Sequence, residues 1–242
     1  MSKYKCVLFD LDHTLWDYET NCAEAIHDLF HKYELKQRGV NSPARFLESF
    51  NAINTPLWDQ YDRGEIQRDV IRFERFNRIL LQVGVDDYPL SLRMSADYIA
   101  ESPRKKNLMP FAIEVLDYLQ VKYSMYIITN GFDEIQGTKL ASTGIEKYFK
   151  DIITSEKAGH KKPAKEIFNF TLQQNGFQPY EAIMIGDNLL TDIAGARNAS
   201  IDTVFYNANK IQHSEKVTHE ITSLKELKSI LWRACFWLIL HS

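Results

Sequence analysis

Two rhythms of hydrophobic and polar positions run along this chain. In its first half, apolar residues recur at three- and four-residue spacing, which predicts amphipathic helices. Cys22, Ile26, Leu29, Phe30 and Tyr33 make the first stripe, and Phe46, Leu47, Phe50 and Ile53 the second. Val70, Phe73, Phe76 and Leu80 make the third, and Leu92, Ala96 and Ile99 the fourth. Ser42 and Pro43 read as an N-cap and first-turn proline, Pro56 as an end or kink of the second helix, and Gly84 as the stop of the third. Four such helices joined by short loops predict a small antiparallel bundle.

The other rhythm is short, continuous apolar runs that read as buried strands. One is Cys6–Phe9. The rest are 125–131, Asp151–Thr154, 182–187 and Asp202–Tyr206. Helical stretches separate the later ones: a helix opening at Pro110, then 132–143, 164–174, 190–198 and 224–231. This alternation predicts an α/β fold, a Rossmann-like parallel sheet wrapped by helices. One helix from Pro110 suffices to cross between the first two strands, so the four-helix stretch is an insertion. The predicted organisation is a discontinuous α/β core, 1–16 and 108–231, a helical cap domain over 17–107, and an apolar C-terminal tail, 232–242.

The first run ends in Asp10 and Asp12. Residues two apart on a strand project to one side. Two carboxylates that close ionise together cheaply only with a cation, and hard oxygen donors suit Mg²⁺. Ligands of open parallel sheets bind beyond the carboxyl ends of the strands. Thr129, Asn130 and Gly131 stand at one such end. Asp187 stands at another, with Asp192 five residues beyond, and Lys162 just before a predicted helix with Pro163 in its first turn. Alone, Thr129 equally reads as bonding its own backbone, Asp192 as a cap and Lys162 as a solvated lysine. Together they fit a divalent metal and a phosphate.

Net charge is −3, which offers no electrostatic footprint for a nucleic-acid polymer. Three scattered cysteines point to a reducing compartment. No signal peptide is visible, and the most apolar run, near Cys235 to Leu240, is too short to cross a bilayer. The expectation is a cytoplasmic protein with no membrane partner. His27 and His31 are four apart on a predicted helix, but with no third ligand apparent they read as a solvated face.

Phe9 through Leu15, Thr129 through Gly131, Lys162 with Pro163, and Gly186-Asp187 with Asp192 together resemble the four motifs of the haloacid dehalogenase-like hydrolase superfamily, and the inserted bundle resembles its helical cap. The resemblance implies Asp10 as the nucleophile that takes up a phosphoryl group and Asp12 as general acid and base. It implies Thr129 as a phosphate-binding hydroxyl, with the amides of Asn130 and Gly131. Lys162 would steady nucleophile and phosphate; Lys161 is its neighbour, and Pro163 decides between them. Asp10, Asp12 and Asp187 would hold the metal, with Asp192 a ligand or its support. Dehalogenases and phosphonatases of the superfamily lack an aspartate at the position of Asp12, which leaves phosphatase or phosphomutase.

A finer resemblance lies in Leu15 through Tyr18, Trp58 through Ile66 and Arg72 through Phe76. These look like a bacterial branch of pyrimidine 5′-nucleotidases. Phe73 and Phe76 fit the bundle core, and Arg72 and Arg75 a solvated face or surface ion pairs. The expected substrate is a small phosphorylated metabolite, a nucleoside monophosphate on this reading. The alternatives are a sugar phosphate or acylneuraminate phosphate, and, from another class, a non-catalytic phospho-ligand binding module. The C-terminal tail reads as an extra helix, a dimer surface or a disordered end.

Overall fold

The computed structural model describes residues 3–231. The tail 232–242 lies outside the described residues. The described residues divide into two compact units: an α/β unit of 3–17, 108–133 and 144–231, and a helical unit of 18–107 and 134–143.

The α/β unit is built on a six-stranded, all-parallel sheet. Its strands are β1 (Cys6–Phe9), β2 (Ser124–Thr129), β3 (Asp151–Thr154), β4 (Ala182–Gly186), β5 (Asp202–Tyr206) and β6 (His219–Ile221). Their spatial order is β3-β2-β1-β4-β5-β6, so β1 is central, with Cys6 opposite both Ser124 and Ala182. Side chains alternate across a strand. Cys6, Leu8, Tyr126, Ile128, Ala182 and Met184 join one core layer with Ile167, Phe168 and Leu172. Val7, Phe9, Met125, Ile127, Ile183 and Ile185 take the other face and are equally buried. A parallel sheet buried on both faces needs such unbroken apolar runs. Strand β6 was not predicted, because His219, Glu220 and Ile221 offer only one buried apolar position.

In the helical unit, α1 (Tyr18–Lys32), α2 (Pro43–Asp62), α3 (Arg75–Gln82) and α4 (Tyr88–Glu101) surround one core that includes Ile26, Phe30, Phe46, Phe50, Phe76 and Leu90. Ser42 caps α2 as predicted, its hydroxyl accepting from Arg45 N–H at 3.2 Å. Pro56 does not end α2, which runs on to Asp62. The proline and Ala52, whose carbonyl loses its helical donor, are both exposed, so water can satisfy that carbonyl.

The third stripe departs from expectation. Val70–Glu74 forms a π-helical turn ahead of α3. The wider turn slips the register, so Ile71 and Arg75 turn inward while Phe73 is 45% exposed. Phe73 is therefore not a core residue, and Arg75 is not solvated. At 4% exposure Arg75 lies over the rings of Tyr98, Phe76 and Phe50 at 4.6, 5.4 and 5.7 Å. Its Nη1 donates to Asn54 Oδ1 at 2.9 Å.

The remaining helices are α5 (Ala112–Gln120), α6 (Asp133–Thr143), α7 (Ser155–Ala158), α8 (Lys165–Asn175), α9 (Gly195–Asn198) and α10 (Leu227–Ile230). The sequence placed these helices in the α/β core, apart from the short α7, which it did not predict. The structure groups Glu134–Thr143 of α6 with the helical unit, where Glu134 pairs with Arg68 and Arg72. Among the described residues no helix is long and apolar enough to cross a membrane.

Candidate active site

The predicted site residues all belong to the α/β unit. Strand β1 delivers Asp10, whose N–H still donates to the Ile185 carbonyl of β4 at 2.9 Å. The chain then turns. Leu15 and Trp16 N–H groups both donate to the Leu11 carbonyl, at 2.9 and 2.8 Å, and His13 takes the left-handed region with φ 62°. Leu11, Leu15 and Trp16 are wholly buried and anchor this turn. Asp10 is held at its mouth, 7% exposed.

Lys162 meets Asp10 from the loop after α7. It is 2% exposed, and its Nζ donates to Asp10 Oδ1 at 2.6 Å, Asp192 Oδ1 at 2.6 Å and the Ile128 carbonyl at 2.9 Å. Three acceptors match the three protons of an ammonium. Lys161 is only half-buried. Pro163 is not in the first turn of the following helix: α8 begins at Lys165 with Ala164 as its N-cap, so the proline precedes the cap. The Lys162–Pro163 peptide is cis.

Asp187 and Asp192 arrive together after β4. The Asn188 side chain caps a π-helical turn, Leu189–Ala194, accepting from Leu190 and Thr191 N–H groups at 2.9 and 3.0 Å. That turn brings Asp192 back toward the strand end, where its Oδ2 accepts from Asn188 N–H at 3.0 Å. Gly186 makes the return possible. A Cβ there would lie 2.3 Å from Asp192 Oδ2, closer than any real contact. Carboxylate atoms of Asp10, Asp187 and Asp192 lie within 4.8 Å of one another.

Asp12 is not one of that trio. Asp12 lies beyond Phe9, the last residue of β1, and sits half-buried at the start of the turn, bridged to Trp16. Thr129 is buried at the end of β2, and its Oγ1 accepts from Gly131 N–H at 3.0 Å. Asn130 acts through its side chain: Oδ1 accepts from Lys162 N–H at 2.8 Å, and Nδ2 donates to the Lys162 carbonyl at 3.0 Å.

Two contributors escaped the sequence reading. Thr14, wholly buried, donates its hydroxyl to Asp187 Oδ1 at 3.0 Å. Its place in the Asp10-to-Leu15 stretch was the available signal. Asn188 was given no role from the sequence, although an Asn before a helical turn is an N-cap signal.

The electrostatics follow from burial. Loss of water pushes the Asp10 carboxyl well above the usual carboxylate range, Lys162 opposes this, and Asp192 and Asp187 add to it. Burial and then the Asp192 charge push Asp187 up to about 6, against His13, Thr14 and Lys162. Burial alone would favour a neutral Lys162, but the carboxylates of Asp10 and Asp192 outweigh it and hold the ammonium above its ordinary value. One cation among three acids leaves negative charge to be balanced. Oxygen-only donors at this spacing fit a hard divalent cation.

A single-lysine, three-aspartate centre at the carboxyl edge of a parallel sheet defines a hydrolase class that uses a buried carboxylate. The chain belongs to the haloacid dehalogenase-like hydrolases, whose family model matches residues 7–206. It is similar to the HAD-hydrolase YfnB of Bacillus subtilis, solved bound to magnesium, with a TM-score of 0.84 and 30% identity, covering 95% of this chain and 99% of that one. It is 31% identical over 233 residues to pyrimidine 5′-nucleotidase PynA of Streptococcus pneumoniae, covering 94% of this chain and 95% of that protein. To pyrimidine 5′-nucleotidase YjjG of Escherichia coli it is 28% identical over 232 residues, covering 95% and 98%.

Proposed function

We propose that this hydrolase is a Mg²⁺-dependent phosphomonoesterase acting on nucleoside 5′-monophosphates, pyrimidine ones above all. The observation that carries the chemistry is the Lys162 ammonium bonded to Asp10 and Asp192 inside the acid trio. A phosphatase must bring an anionic nucleophile to an anionic ester, and this centre is built to manage that charge. The substrate class rests on the two pyrimidine 5′-nucleotidase relatives.

Asp10 is the nucleophile. Its carboxylate oxygen forms a bond to phosphorus as the ester P–O bond breaks, and Asp12 gives a proton to the departing oxygen. Asp12 then takes a proton from water as that water attacks phosphorus, which frees phosphate and restores Asp10. Lys162 opposes the burial that favours the neutral Asp10 carboxyl. Thr129 Oγ1 and the Asn130 and Gly131 amides hold the phosphoryl oxygens. Asp10 and Asp187 hold Mg²⁺, with Asp192 beside them and Asp12 completing the set; the ion, when bound, supplies Lewis-acid neutralisation of the phosphoryl charge. The setting is a reducing, cytoplasmic one, in keeping with the free, buried Cys6 and Cys22.

The test is phosphate release, with Mg²⁺, from a panel of nucleoside monophosphates and sugar phosphates. Selective release from pyrimidine monophosphates is expected. Preference for sugar phosphates or an acylneuraminate phosphate would overturn the substrate, and release from none would overturn the phosphatase reading.

A further inference from the structure

Away from the acid trio, the last turns of α1 carry His27 and His31, four residues apart on one exposed face of the helical unit. Their rings do not splay into solvent. The centroids are 4.5 Å apart, and the two Nε2 atoms come within 3.2 Å, where they share one hydrogen bond. Two imidazole nitrogens bound to one metal at about 2.0–2.1 Å each lie roughly 2.9 Å apart at a right angle and about 3.3–3.4 Å apart at a tetrahedral angle. The observed separation falls between those values.

Three surrounding features suit a bound cation. Metal-binding histidines commonly offer their other ring nitrogen to a carboxylate, and Asp28 Oδ1 lies 3.8 Å from His27 Nδ1. Phe30 meets the His31 ring edge-on at a 5.4 Å centroid distance and limits its rotation. The pair also sits near the C-terminus of a fifteen-residue helix, where the macrodipole favours positive charge. The same Asp28 accepts from Lys105 Nζ at 2.6 Å, and Lys105 Nζ lies 3.9 Å from Glu24. Among the described residues no third ligand joins the two histidines in a closed set, so the remaining positions would be open to water.

We propose that His27 and His31 form a chelating site for a divalent transition-metal ion of the imidazole-preferring class, Cu²⁺, Ni²⁺ or Zn²⁺, with Cu²⁺ bound most tightly. Its nitrogen donors make it chemically distinct from the all-oxygen centre at Asp10, Asp187 and Asp192, which suits a hard ion. The two sites therefore discriminate between metals by donor type.

The experiment titrates the full chain with Ni²⁺ and Cu²⁺ while Mg²⁺ is held in large excess over both. Each single variant, His27→Ala and His31→Ala, keeps one imidazole and loses the chelate, a fall in affinity on the order of a hundredfold. The double variant His31→Lys, Lys32→His keeps the number of histidines but moves one off the shared face. It is expected to fall as far as the single variants. Ni²⁺ should raise the melting temperature of the unaltered chain and leave all three variants unmoved, because the ion is bound only when the helix is formed. Cu²⁺ on the unaltered chain should give an electron paramagnetic spectrum with two nitrogen couplings. Undiminished affinity in either single variant, or in the register-shifted double variant, would overturn the proposal.

Discussion

Asn130 and Lys162 hydrogen-bond each other twice, the amide side chain of one taking both the N–H and the carbonyl of the other. The lysine that reaches Asp10 is thus fixed at its backbone as well as at its ammonium. Asn130→Ala orphans two buried backbone groups and should cost about 2–4 kcal/mol. Asn130→Asp keeps the acceptor but loses the donor, and should recover part of that stability. Urea unfolding of both variants, set beside phosphate release, checks the order: native, then Asp, then Ala.

Gly186 sets how near Asp192 can come to β4. In Gly186→Ala the new methyl meets the Asp192 carboxylate, and either strand or acid must shift. A stability loss of about 1–3 kcal/mol is expected, with Mg²⁺ affinity weakened at least tenfold because the trio is spread. Calorimetric titration with Mg²⁺ at neutral pH measures this directly. Native-like affinity would show that Asp192 does not help hold the ion.

Asp187 gives a pH dependence with a definite sign. Its carboxyl is pushed up to about 6 from 3.8, so the metal-free folded chain holds this proton more tightly than the unfolded chain between those values. The folded state binds more protons there, so its stability falls as pH rises through that window. Mg²⁺ needs the ionised form, so its affinity runs the other way and drops about tenfold per unit as pH falls below about 6. Melting curves and Mg²⁺ titrations between pH 4 and 7.5 should show opposite slopes. Asp187→Asn should reduce the metal-free slope, the rest of which belongs to Asp10.

Asp10→Asn removes the proposed nucleophile while keeping the side chain's shape. Turnover should fall by on the order of 10³-fold or more, and the circular dichroism spectrum should be unchanged. A well-folded Asp10→Asn variant that still released phosphate at the native rate would exclude the aspartyl-phosphate route.

Arg75 tests the interior of the helical unit. Its guanidinium is packed against three rings and bonded to the neutral Asn54. Replacement by an apolar side chain of similar length is often tolerated at buried charges. Arg75→Met should cost under about 1.5 kcal/mol, whereas Arg75→Ala leaves a cavity and should cost about 2–4 kcal/mol. Denaturant unfolding separates the two.

These two regions also show what the sequence made legible. Runs such as Cys6–Phe9 and Asp202–Tyr206 declared themselves because a strand buried on both faces admits little but apolar residues. The site residues were legible because the chemistry of a parallel sheet is confined to its strand ends. What escaped depends on backbone departures that leave no periodic trace. A single π-helical turn exchanged Phe73 for Ile71 and Arg75 at the core. A second one folds Asp192 back on Gly186. Strand β6 carries too few apolar positions to register.

The central place of β1 has a further consequence, for the order of assembly. The strand that bears Asp10 is made first, yet its two neighbours, β2 and β4, are made only after the whole inserted helical stretch. Asp10 and Lys162 stand 152 positions apart in the chain. During synthesis the nascent β1 has no partner strand on either side, while the residues of α1 to α4 can already find one another locally. Such long-range pairing is intrinsically slow and leaves apolar edges open to other chains. The centre of the sheet is therefore the segment most in need of protection on the ribosome.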